Sequence, residues 1–393
     1  MALPLDGITV VSIEQAVAAP FATRQLADLG ARVIKIERPH GGDFARHYDQ
    51  TVHGLSSYFV WLNRSKQSLT LDLKRPEARA VLGRLVARAD VIVHNLAPGA
   101  ADRLGLGLLE LRALHPRLIT CAVSGYGTLG PYAMKKAYDM LIQAEVGLVS
   151  ITGTPDVPSR AGISVADIAA GMYAYSGVLT ALLTRATTGH GTAIDVSLFD
   201  ALGEWMGAPA YYTAYSGTEP LRIGAAHATI APYELFVSGD ETEIYLAIQN
   251  EREWVRFCEI VLEKPELTHD LRFATNETRV EHRPVLRAVI SEIFGTLPGA
   301  VLLDRLASAG IASARRNPVA GFLDHPQVVE RDRWRTIGSP VGELRALLPP
   351  VQMDGVVPAM GPVPALGEHS ESILLELGFD QQTIDAWKEE QVI

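Results

Sequence analysis

The sequence predicts an α/β fold in which helices cover both faces of a parallel sheet. Patterns typical of strands alternate with patterns typical of helices from Gly7 to Val123, beginning with strand, helix and strand. Such alternation favours a parallel sheet, because each helix returns the chain to the end of the sheet where the next strand begins. At 393 residues the chain is long enough for two domains, and its 48% apolar and 20% charged residues are typical of globular proteins.

The strand–helix–strand start is the clearest part of this prediction. Gly7–Ile13 is apolar and β-branched, Pro20–Leu29 is amphipathic, and Arg32–Glu37 has the pattern of a second strand. Pro20 suits the first turn of the helix, and Gly30 suits its end.

Further helices and strands are predicted along the first half of the chain. In order they are a helix, two buried strands, a long apolar helix, and a turn with a strand, at Pro76–Ala89, Val91–His94, Leu118–Val123, Ala166–Arg185 and Gly189–Leu198. The uncharged run Ile168–Thr184 approaches the lower length limit of a membrane span. Its many Ala, Gly, Ser, Thr and Tyr residues favour instead a helix buried in a soluble core.

The character of the sequence changes near residue 205, where a domain boundary is predicted. Residues 208–245 are rich in Tyr, Gly, Thr and Pro and predict strands and loops. Helical patterns follow at Arg252–Leu262 and Pro284–Phe294, and a last helix is predicted near Ser370–Leu377.

Composition argues against several classes of function. The formal net charge is −10 and no basic cluster occurs, which argues against nucleic acid as a partner. Cys121 and Cys258 are far apart, so neither a disulfide framework nor a zinc site is expected, and a cytoplasmic location fits. Asp6 and Glu14 interrupt the apolar N-terminal stretch, which therefore predicts a strand and not a signal peptide, and no membrane association is expected.

Common cofactor and catalytic motifs do not occur. The turn after the first predicted strand, EQAVAAPFATRQ, has no glycine to admit a pyrophosphate, which disfavours NAD and FAD. The stretch from Gly162 to Ala166 lacks the final glycine of a G-x-S-x-G motif, and no H-E-x-x-H spacing occurs among the 11 histidines. The sequence therefore predicts neither a metal site nor a redox cofactor.

Asp167 lies where a polar loop meets the long apolar helix. One interpretation is an N-cap, whose carboxylate accepts a hydrogen bond from the first free N–H groups of the helix. The other is a reactive carboxylate, with room for a ligand beside the small residues Ala169, Ala170 and Gly171. Both interpretations can hold together.

An ordered series of short motifs extends over most of the chain. They are Ala27–Arg38 (ADLGARVIKIER), Gly42-Asp43, Asn63–Lys66, Leu71–Lys74, Pro98-Gly99, Asp102–Gly105, Ser124–Gly127, Gly130-Pro131, Ala137–Asp139, Val165–Asp167, Gly171, Thr188–Gly191, Asp195–Leu198 and Ile230–Tyr233. Through these motifs the chain resembles the family III CoA-transferases, which include formyl-CoA:oxalate and carnitine CoA-transferases, and the related alpha-methylacyl-CoA racemases. Each motif alone is weakly specific, whereas the ordered set is specific.

The resemblance implies roles for individual residues. Asp167 matches the family's aspartate nucleophile, and Tyr138 and Asp139 match a pair beside the acyl group. Five positions match residues that hold CoA: Arg38 and Arg103 at its adenine and phosphate end, with Ala18, Asn95 and Lys136 lining the same cleft. The loop Gly224–Pro232 matches one that closes over the thioester in formyl-CoA transferase, but it lacks that enzyme's run of glycines.

The resemblance also implies an activity and an architecture. CoA would move between two carboxylic acids through an aspartyl mixed anhydride and an enzyme–CoA thioester, so that the substrates are an acyl-CoA and a free acid, with no bound cofactor. A Rossmann-like large domain would comprise residues 1–205, a smaller α+β domain residues 206–324, and residues 325–393 would return to the large domain. Two subunits would form an interlocked homodimer.

Small dicarboxylic acids are the expected substrates, with succinyl-CoA as donor and malate, citramalate, itaconate or mesaconate as acceptor. The stretches 95–99 and 17–20 resemble dicarboxylate-handling members, and Arg46 and Arg160 are spare cations that could pair with a distal carboxylate. Val17 replaces a glutamine of formyl-CoA transferase, which argues against formyl-CoA and oxalate, although Gln15 lies close.

Two alternatives remain open from the sequence. An acyl-CoA racemase would need a pair of bases, and racemases of this family carry a histidine where this chain has Tyr138, a poor base near neutral pH. A CoA-binding protein without activity is the alternative from another class, and the intact Asp167 disfavours it.

Overall fold

The computed structural model describes residues 2–393, with side chains throughout that range apart from positions 108–110. The strands are β1 (Thr9–Ile13), β2 (Arg32–Glu37), β3 (Lys66–Thr70), β4 (Val91–His94), β5 (Ile119–Ser124), β6 (Ala193–Ser197), β7 (Tyr233–Val237), β8 (Glu243–Ala247), β9 (Ala312–Arg315), β10 (Trp334–Ile337) and β11 (Leu344–Leu347).

Helices alternate with the first strands and dominate the second half of the chain. They are α1 (Ala18–Asp28), α2 (Ser57–Asn63), α3 (Pro76–Val86), α4 (Ala100–Arg103), α5 (Leu108–Leu114), α6 (Asp139–Glu145), α7 (Leu148–Ile151), α8 (Val165–Thr188), α9 (Leu198–Trp205), α10 (Gly207–Ser216), α11 (Glu251–Arg256), α12 (Asn276–Glu281), α13 (Arg283–Phe294), α14 (Gly299–Ser308), α15 (Val319–Leu323), α16 (Pro326–Val329), α17 (Ser370–Glu376) and α18 (Gln381–Glu389).

The first six strands form one parallel sheet in the order β3-β2-β1-β4-β5-β6. The chain builds outward from β1 to one edge and then returns to build from β4 to the other. Loops leaving β1 and β4 therefore diverge, which opens a crevice at the carboxyl ends of the central strands. The predicted α/β fold with a parallel sheet is confirmed.

Alternate residues of the strands fill two separate cores, because successive side chains of a strand point to opposite faces. Val10 packs with α1 and α8 on one face, whereas the next residue, Val11, packs with α3 and α17 on the other. Both faces of the sheet are thus covered, which explains why its central strands are apolar throughout.

α8 packs closely against α1 through small residues. Its core-facing stripe includes Ala166, Ala170 and Ala174, all fully buried. A Cβ atom added to Gly171 would lie 2.6 Å from the carbonyl oxygen of Ala18, so only glycine permits this approach. By length and composition α8 is apolar enough to cross a membrane, and in the fold this Ala-rich stripe lies in the core, as the sequence predicts.

The chain divides into two compact units. Unit 1 comprises the residues up to Leu148, Ala161–Ala208 and Asp332–Ile393, and unit 2 comprises Val149–Arg160 and Pro209–Arg331. The predicted boundaries at 205/206 and 324/325 thus lie a few residues before the observed ones. Val149–Arg160, predicted in the large domain, belongs to unit 2.

Hydrogen bonds explain why this short segment belongs to unit 2. The guanidinium of Arg222 donates to the carbonyls of Ser150 and Thr154, each at 3.0 Å, and the backbone N–H of Gly224 donates to Gly153. No local sequence pattern marks such an excursion.

Unit 2 contains a small antiparallel sheet in the order β7-β8-β9, with α13 and α14 packed beside it. Its own core includes Phe236, Trp254, Phe257 and Phe294. Strands, loops and helices were predicted here, but α10 was not. Its sequence, GAPAYYTAYS, contains few strong helix formers.

The last helix is α18 and not the predicted helix at Ser370–Leu377, which corresponds to α17. Asp380 caps α18 by accepting a hydrogen bond from the N–H of Thr383 at 2.8 Å. That N-cap signal was present in the sequence, so this helix could have been predicted.

Candidate active site

Asp167 lies in the first turn of α8, as the third residue of the helix, and is half-buried. The N-cap position is Ser164, which makes no side-chain capping bond. Instead, Oδ1 of Asp139 accepts hydrogen bonds from the N–H groups of Ala166, at 2.7 Å, and Asp167, at 3.2 Å. The N-cap interpretation of Asp167 is therefore wrong, because Asp139 supplies the cap from α6.

The side chain of Asp139 is held on its other oxygen as well. Oδ2 accepts from Nε2 of Gln143 at 2.7 Å, and Oε1 of Gln143 accepts from the N–H of Ala161 at 2.9 Å. Asp139 thus joins the start of α6 to the start of α8. Tyr138, the N-cap residue of α6, is 68% exposed and makes no side-chain capping bond.

Burial and the negative charge of Asp139 raise the pKa of Asp167 to about 7. A helix N-terminus favours the ionised form of a carboxyl, so desolvation and Asp139 together outweigh the helix dipole here. Asp167 is consequently close to half-ionised at neutral pH. When ionised, it is a more basic carboxylate than an ordinary aspartate and therefore a stronger nucleophile.

Tyr48 was not predicted as a site residue, and the negative charge of Asp167 acts on its phenol. Burial and the charges of Asp43 and Asp167 raise the pKa of Tyr48 to about 12, so its phenol remains a neutral hydrogen-bond donor. Its ring packs edge-on against Tyr58, with 5.4 Å between centroids. In the sequence, this pair of packed rings was indicated only by the aromatic composition of residues 44–61.

The turn between β1 and α1 is held by two side chains. Asn95 accepts from the N–H of Gln15 at 2.9 Å and donates to its carbonyl at 2.7 Å. Oδ1 of Asp43 accepts from the N–H of Ala16 at 3.0 Å. Ala16 has φ of 63°, a conformation that glycine adopts more easily. The amide of Asn95 therefore positions the turn, and the buried Ala18 begins α1 directly after it.

A buried network of charges lies beneath this turn. Nζ of Lys66 is 2.7 Å from Oε1 of Glu14, and Nζ of Lys35 is 2.7 Å from Oδ2 of Asp43. Burial lowers the pKa of Lys66 to about 8. Burial also opposes the charge of Lys35, but Asp43 and Glu14 outweigh it and raise the pKa of Lys35. Each buried charge thus has an oppositely charged partner, as a stable interior requires.

Arg46 is not the spare cation that the sequence suggested. Its guanidinium makes two hydrogen bonds of 2.8 Å to the buried carboxylate of Glu37 and lies 3.7 Å from the ring centroid of Phe59. Although burial opposes ionisation of Glu37, the hydrogen bonds from Arg46 and the charge of Lys35 lower its pKa to about 2. The predicted substrate role of Arg46 is therefore wrong. Arg160 belongs to unit 2, whereas Asp167 belongs to unit 1.

A cavity of about 800 Å³ opens at the carboxyl ends of β1, β2 and β3. It brings together two predicted residues, Arg38 and Arg103. The other predicted residues do not line it: Ala18, Asn95, Lys136, Asp139 and Asp167. The guanidinium of Arg38 donates twice to the carbonyl of Gly42, at 3.1 and 2.9 Å. Lys136 lies exposed elsewhere in unit 1.

Further cationic residues line the same cavity and were not predicted: Lys74, Arg75 and Arg79. Their signal was the stretch from Lys74 to Arg79, which carries three cations where β3 gives way to α3. Four carboxylates also line it. Glu14, Glu37 and Asp43 are neutralised by the partners described above, and Asp72 adds one negative charge against five Arg and Lys side chains. The cavity therefore presents an excess of positive charge, suited to a phosphorylated ligand.

The loop Gly224–Pro232 in unit 2 is tied down along its length. Arg283 donates to the carbonyls of His227, at 2.7 Å, and Ile230, at 3.0 Å. Asn276 accepts from the N–H of Ala231 and donates to the carbonyl of Thr229. The loop is thus anchored by side chains where a run of glycines would leave it free.

Comparison with known proteins extends these observations. A sequence model described as CoA-transferase family III matches residues 5–370. A succinate–glutarate CoA-transferase from Agrobacterium fabrum is 35% identical over 392 residues, 97% of this chain and 97% of that protein. An acetyl-CoA:oxalate CoA-transferase from Acetobacter aceti is 36% identical over 331 residues, 84% and 85% of the two chains.

A solved structure agrees in fold as well as in sequence. The crystal structure of a CAIB/BAIF family protein from Brucella suis is 35% identical and superposes with a TM-score of 0.84, covering 96% of this chain and 100% of that one. Because the family match and the structural match both extend over nearly the whole chain, the protein belongs to CoA-transferase family III.

Proposed function

We propose that this enzyme transfers CoA between two carboxylic acids with Asp167 as its nucleophile. The observation that carries the proposal is the half-buried carboxyl of Asp167 in the first turn of α8, with a pKa near 7 and a backbone fixed by Asp139. A carboxylate nucleophile suits this reaction, because an acyl group passed directly to it retains the free energy of the thioester.

The reaction proceeds by four acyl transfers. The Asp167 carboxylate attacks the carbonyl of the donor acyl-CoA, which forms a mixed anhydride and expels CoA thiolate. The thiolate attacks the aspartyl carbonyl, which releases the donor acid and leaves an enzyme–CoA thioester. The acceptor carboxylate then attacks that thioester, and the thiolate collects the acceptor acyl group from the new anhydride. These are acyl transfers and need no redox step.

The oxyanion formed at each step needs hydrogen-bond donors. The N–H groups of Ala166 and Asp167, at the helix start, donate to Asp139 and are already engaged. These two N–H groups are therefore not free to bind the oxyanion. The neutral phenol of Tyr48 is a donor whose surroundings include Asp167, and Asp139 serves as a positioning residue.

Replacing Asp167 tests the nucleophile. Asp167→Ala is expected to lose CoA transfer while retaining the secondary structure of the wild type by circular dichroism. Hydroxylamine should inactivate the wild type only in the presence of an acyl-CoA, and intact mass spectrometry should show a CoA adduct on the peptide that contains Asp167. Near wild-type turnover by Asp167→Ala would refute the assignment.

The substrates in this proposal are small dicarboxylic acids, with succinyl-CoA as the donor and malate, citramalate, itaconate or mesaconate as acceptors. By their names, relatives act on succinate, glutarate and oxalate, and others on D-citramalate and mesaconate. Oxalate is itself a dicarboxylate. The expectation that this enzyme does not use oxalate, which rests on Val17, stays a prediction.

A comparison of turnover with succinyl-CoA and butyryl-CoA tests this substrate class, because the two acyl chains have the same length and differ mainly in the distal charge. A charge-assisted contact to the distal carboxylate would favour succinyl-CoA by at least about tenfold in kcat/KM. Equal or better use of butyryl-CoA would refute the dicarboxylate assignment and leave CoA transfer intact.

The enzyme is expected to form a homodimer. Every residue of α10 is at least partly exposed, and the helix presents Tyr211, Tyr212 and Tyr215 to the surface. Exposed aromatic side chains grouped in this way are typical of protein interfaces. Sedimentation equilibrium should give twice the mass of the chain, and a monomer at micromolar concentration would contradict the dimer.

A further inference from the structure

We propose that the buried hydrogen bond from Thr23 to Glu14 is a positioning contact of this enzyme, which holds the start of α1 against α8 and thereby fixes Asp167 for attack. The inference rests on the proposed function, since it takes Asp167 as the nucleophile. Thr23 is a positioning residue in this proposal, because it acts on the reaction through the backbone of two helices and not by contact with a substrate.

The first argument is the direction in which the hydroxyl of Thr23 donates. A threonine inside a helix ordinarily donates to the carbonyl four residues earlier, as Thr180 and Thr184 of α8 do, at 2.8 and 2.9 Å. Oγ1 of Thr23 lies 3.2 Å from the equivalent carbonyl, that of Ala19, but only 2.7 Å from Oε2 of Glu14. A hydroxyl has one proton, and the carboxylate is the nearer and stronger acceptor. The bond therefore leaves the helix and ties α1 to the residue that follows β1.

The second argument is the way in which Glu14 itself is held. Its side chain is fully buried, and its other oxygen, Oε1, accepts from Nζ of Lys66 at 2.7 Å. The same ammonium also donates to the carbonyl of Pro20, in the first turn of α1, and to Oδ1 of Asn63, the last residue of α2, each at 3.1 Å. Both oxygens of Glu14 are thus engaged, and a buried carboxylate held at both oxygens is a rigid anchor for α1.

The third argument is that the same part of α1 contacts α8. The two helices meet at Gly171, where an added Cβ atom would lie 2.6 Å from the carbonyl oxygen of Ala18 and 3.0 Å from the ring of Phe21. The first turns of α1 are therefore in contact with Glu14 and with Gly171. Asp167 lies one helical turn before Gly171, so a shift of α1 is transmitted to the proposed nucleophile.

Loss of the Thr23 hydroxyl would leave Oε2 of Glu14 without a donor. Thr23 and Glu14 are 0% and 1% exposed, so bulk water does not reach this oxygen. An unpaired buried acceptor is costly, and the carboxylate would relax towards other donors. The nearest further cation is Lys35, whose Nζ lies 3.6 Å from Oε1. Such a movement of Glu14 would release the start of α1.

The test removes the hydroxyl and keeps the shape of the side chain. Thr23→Val is expected to lower kcat for CoA transfer from succinyl-CoA by about tenfold or more, because a small misplacement of a reacting group is costly. KM should stay unchanged, because the cations of the cavity are untouched. Thr23→Ser retains the hydroxyl and should keep kcat close to that of the wild type. Thr120→Val is the matched control, since Thr120 is equally buried and, among the residues that the structure describes, its hydroxyl has no hydrogen-bond partner.

Hydrogen exchange separates this inference from the proposed function, because it needs no substrate. The N–H groups of Ala166 and Asp167 should exchange about tenfold faster or more in Thr23→Val, and at the wild-type rate in Thr23→Ser and Thr120→Val. The inference is overturned if exchange at the start of α8 is unchanged in Thr23→Val, if either of the other variants loses as much kcat as Thr23→Val, or if Thr23→Val changes only KM. Full CoA transfer by Asp167→Ala, with exchange as expected, would instead refute the proposed function alone.

Discussion

Asp139 does two things with one carboxylate. It caps α8, through the N–H groups of Ala166 and Asp167, and its negative charge contributes to the raised pKa of Asp167. A neutral cap would hold the helix equally well. The charged cap additionally keeps Asp167 basic, so Asp139 couples helix capping to the basicity of the proposed nucleophile.

The pH dependence of catalysis should report this coupling. In the proposed mechanism only ionised Asp167 attacks, so kcat/KM for succinyl-CoA should rise with pH through an apparent pKa of about 7 and level off above it. Asp139→Asn keeps an acceptor oxygen but removes the charge, so the rise should move to lower pH. Steady-state rates between pH 5 and 9 measure this, with Asp385→Asn on α18 as the control. A rise that stays in place in Asp139→Asn would show that Asp139 does not act on Asp167 through its charge.

The same carboxyl makes the folded protein less stable as pH increases. The folded pKa of Asp167, about 7, lies above the ordinary value of 3.8, so between these values the folded state binds more protons than the unfolded state. Stability contributed by the protonated group is present below pH 3.8 and is lost as pH rises through 7.

Asp167→Asn should therefore stabilise the protein at pH 8 while abolishing activity. Allowing for partial exposure, the expected gain is about 2 kcal/mol at pH 8, falling towards zero at pH 4. Urea unfolding of both proteins at the two pH values measures it. A gain of equal size at both pH values would contradict the linkage to ionisation of Asp167.

At the scale of elements, the contact between α1 and α8 fixes the distance between the turn at Ala16 and the start of α8. Gly171 sets that distance, because a Cβ atom there would meet the carbonyl oxygen of Ala18 at 2.6 Å and the ring of Phe21 at 3.0 Å. α1 cannot yield easily, since the turn before it is clamped by Asn95 and Asp43.

Gly171→Ala should consequently destabilise the protein and disturb catalysis together. Overpacking of this kind costs about 1–3 kcal/mol of folding free energy. Because Asp167 lies one helical turn from Gly171, displacement of α8 would also move Asp167. Gly203→Ala on α9 is the control, because a Cβ atom there meets nothing within 4 Å. The control should be neutral or gain up to about 1 kcal/mol from helix propensity. Urea unfolding and kcat decide the matter, and equal behaviour of the two variants would contradict it.

Elements with strong local signals were predictable, and those that depend on distant contacts were not. β2 and β4 match their predicted bounds, because short β-branched runs flanked by polar residues strongly favour strands and mark where they begin and end. The place of Asp167 at the start of the long helix could be predicted from sequence. The cap of that helix could not, since Asp139 lies 27 residues before Ala166. Arg46 was misjudged because its partner, Glu37, is revealed only by the packing at the end of β2.

At the scale of the whole molecule, the arrangement predicts transfer and not epimerisation. Proton exchange at the α carbon of an acyl-CoA needs two bases, and the position where racemases of this family have a histidine is Tyr138, which is largely exposed. A 2-methylacyl-CoA incubated in deuterated water should gain no α-deuterium at a catalytic rate, as followed by mass spectrometry. Rapid incorporation would assign racemase chemistry to the enzyme.

The assembly of unit 1 from three separate stretches has a consequence for synthesis on the ribosome. Leu82 and Leu85 of α3 share their core with Ile373 and Leu374 of α17, which are translated much later. At 5–20 residues per second, the nascent chain waits roughly 15–60 s before α17 can cover that face. Through this interval the face of the sheet that carries α3 stays partly open to water, so the growing polypeptide is a natural client for chaperones that bind apolar surface, and codon usage between α3 and α17 would set the length of its exposure.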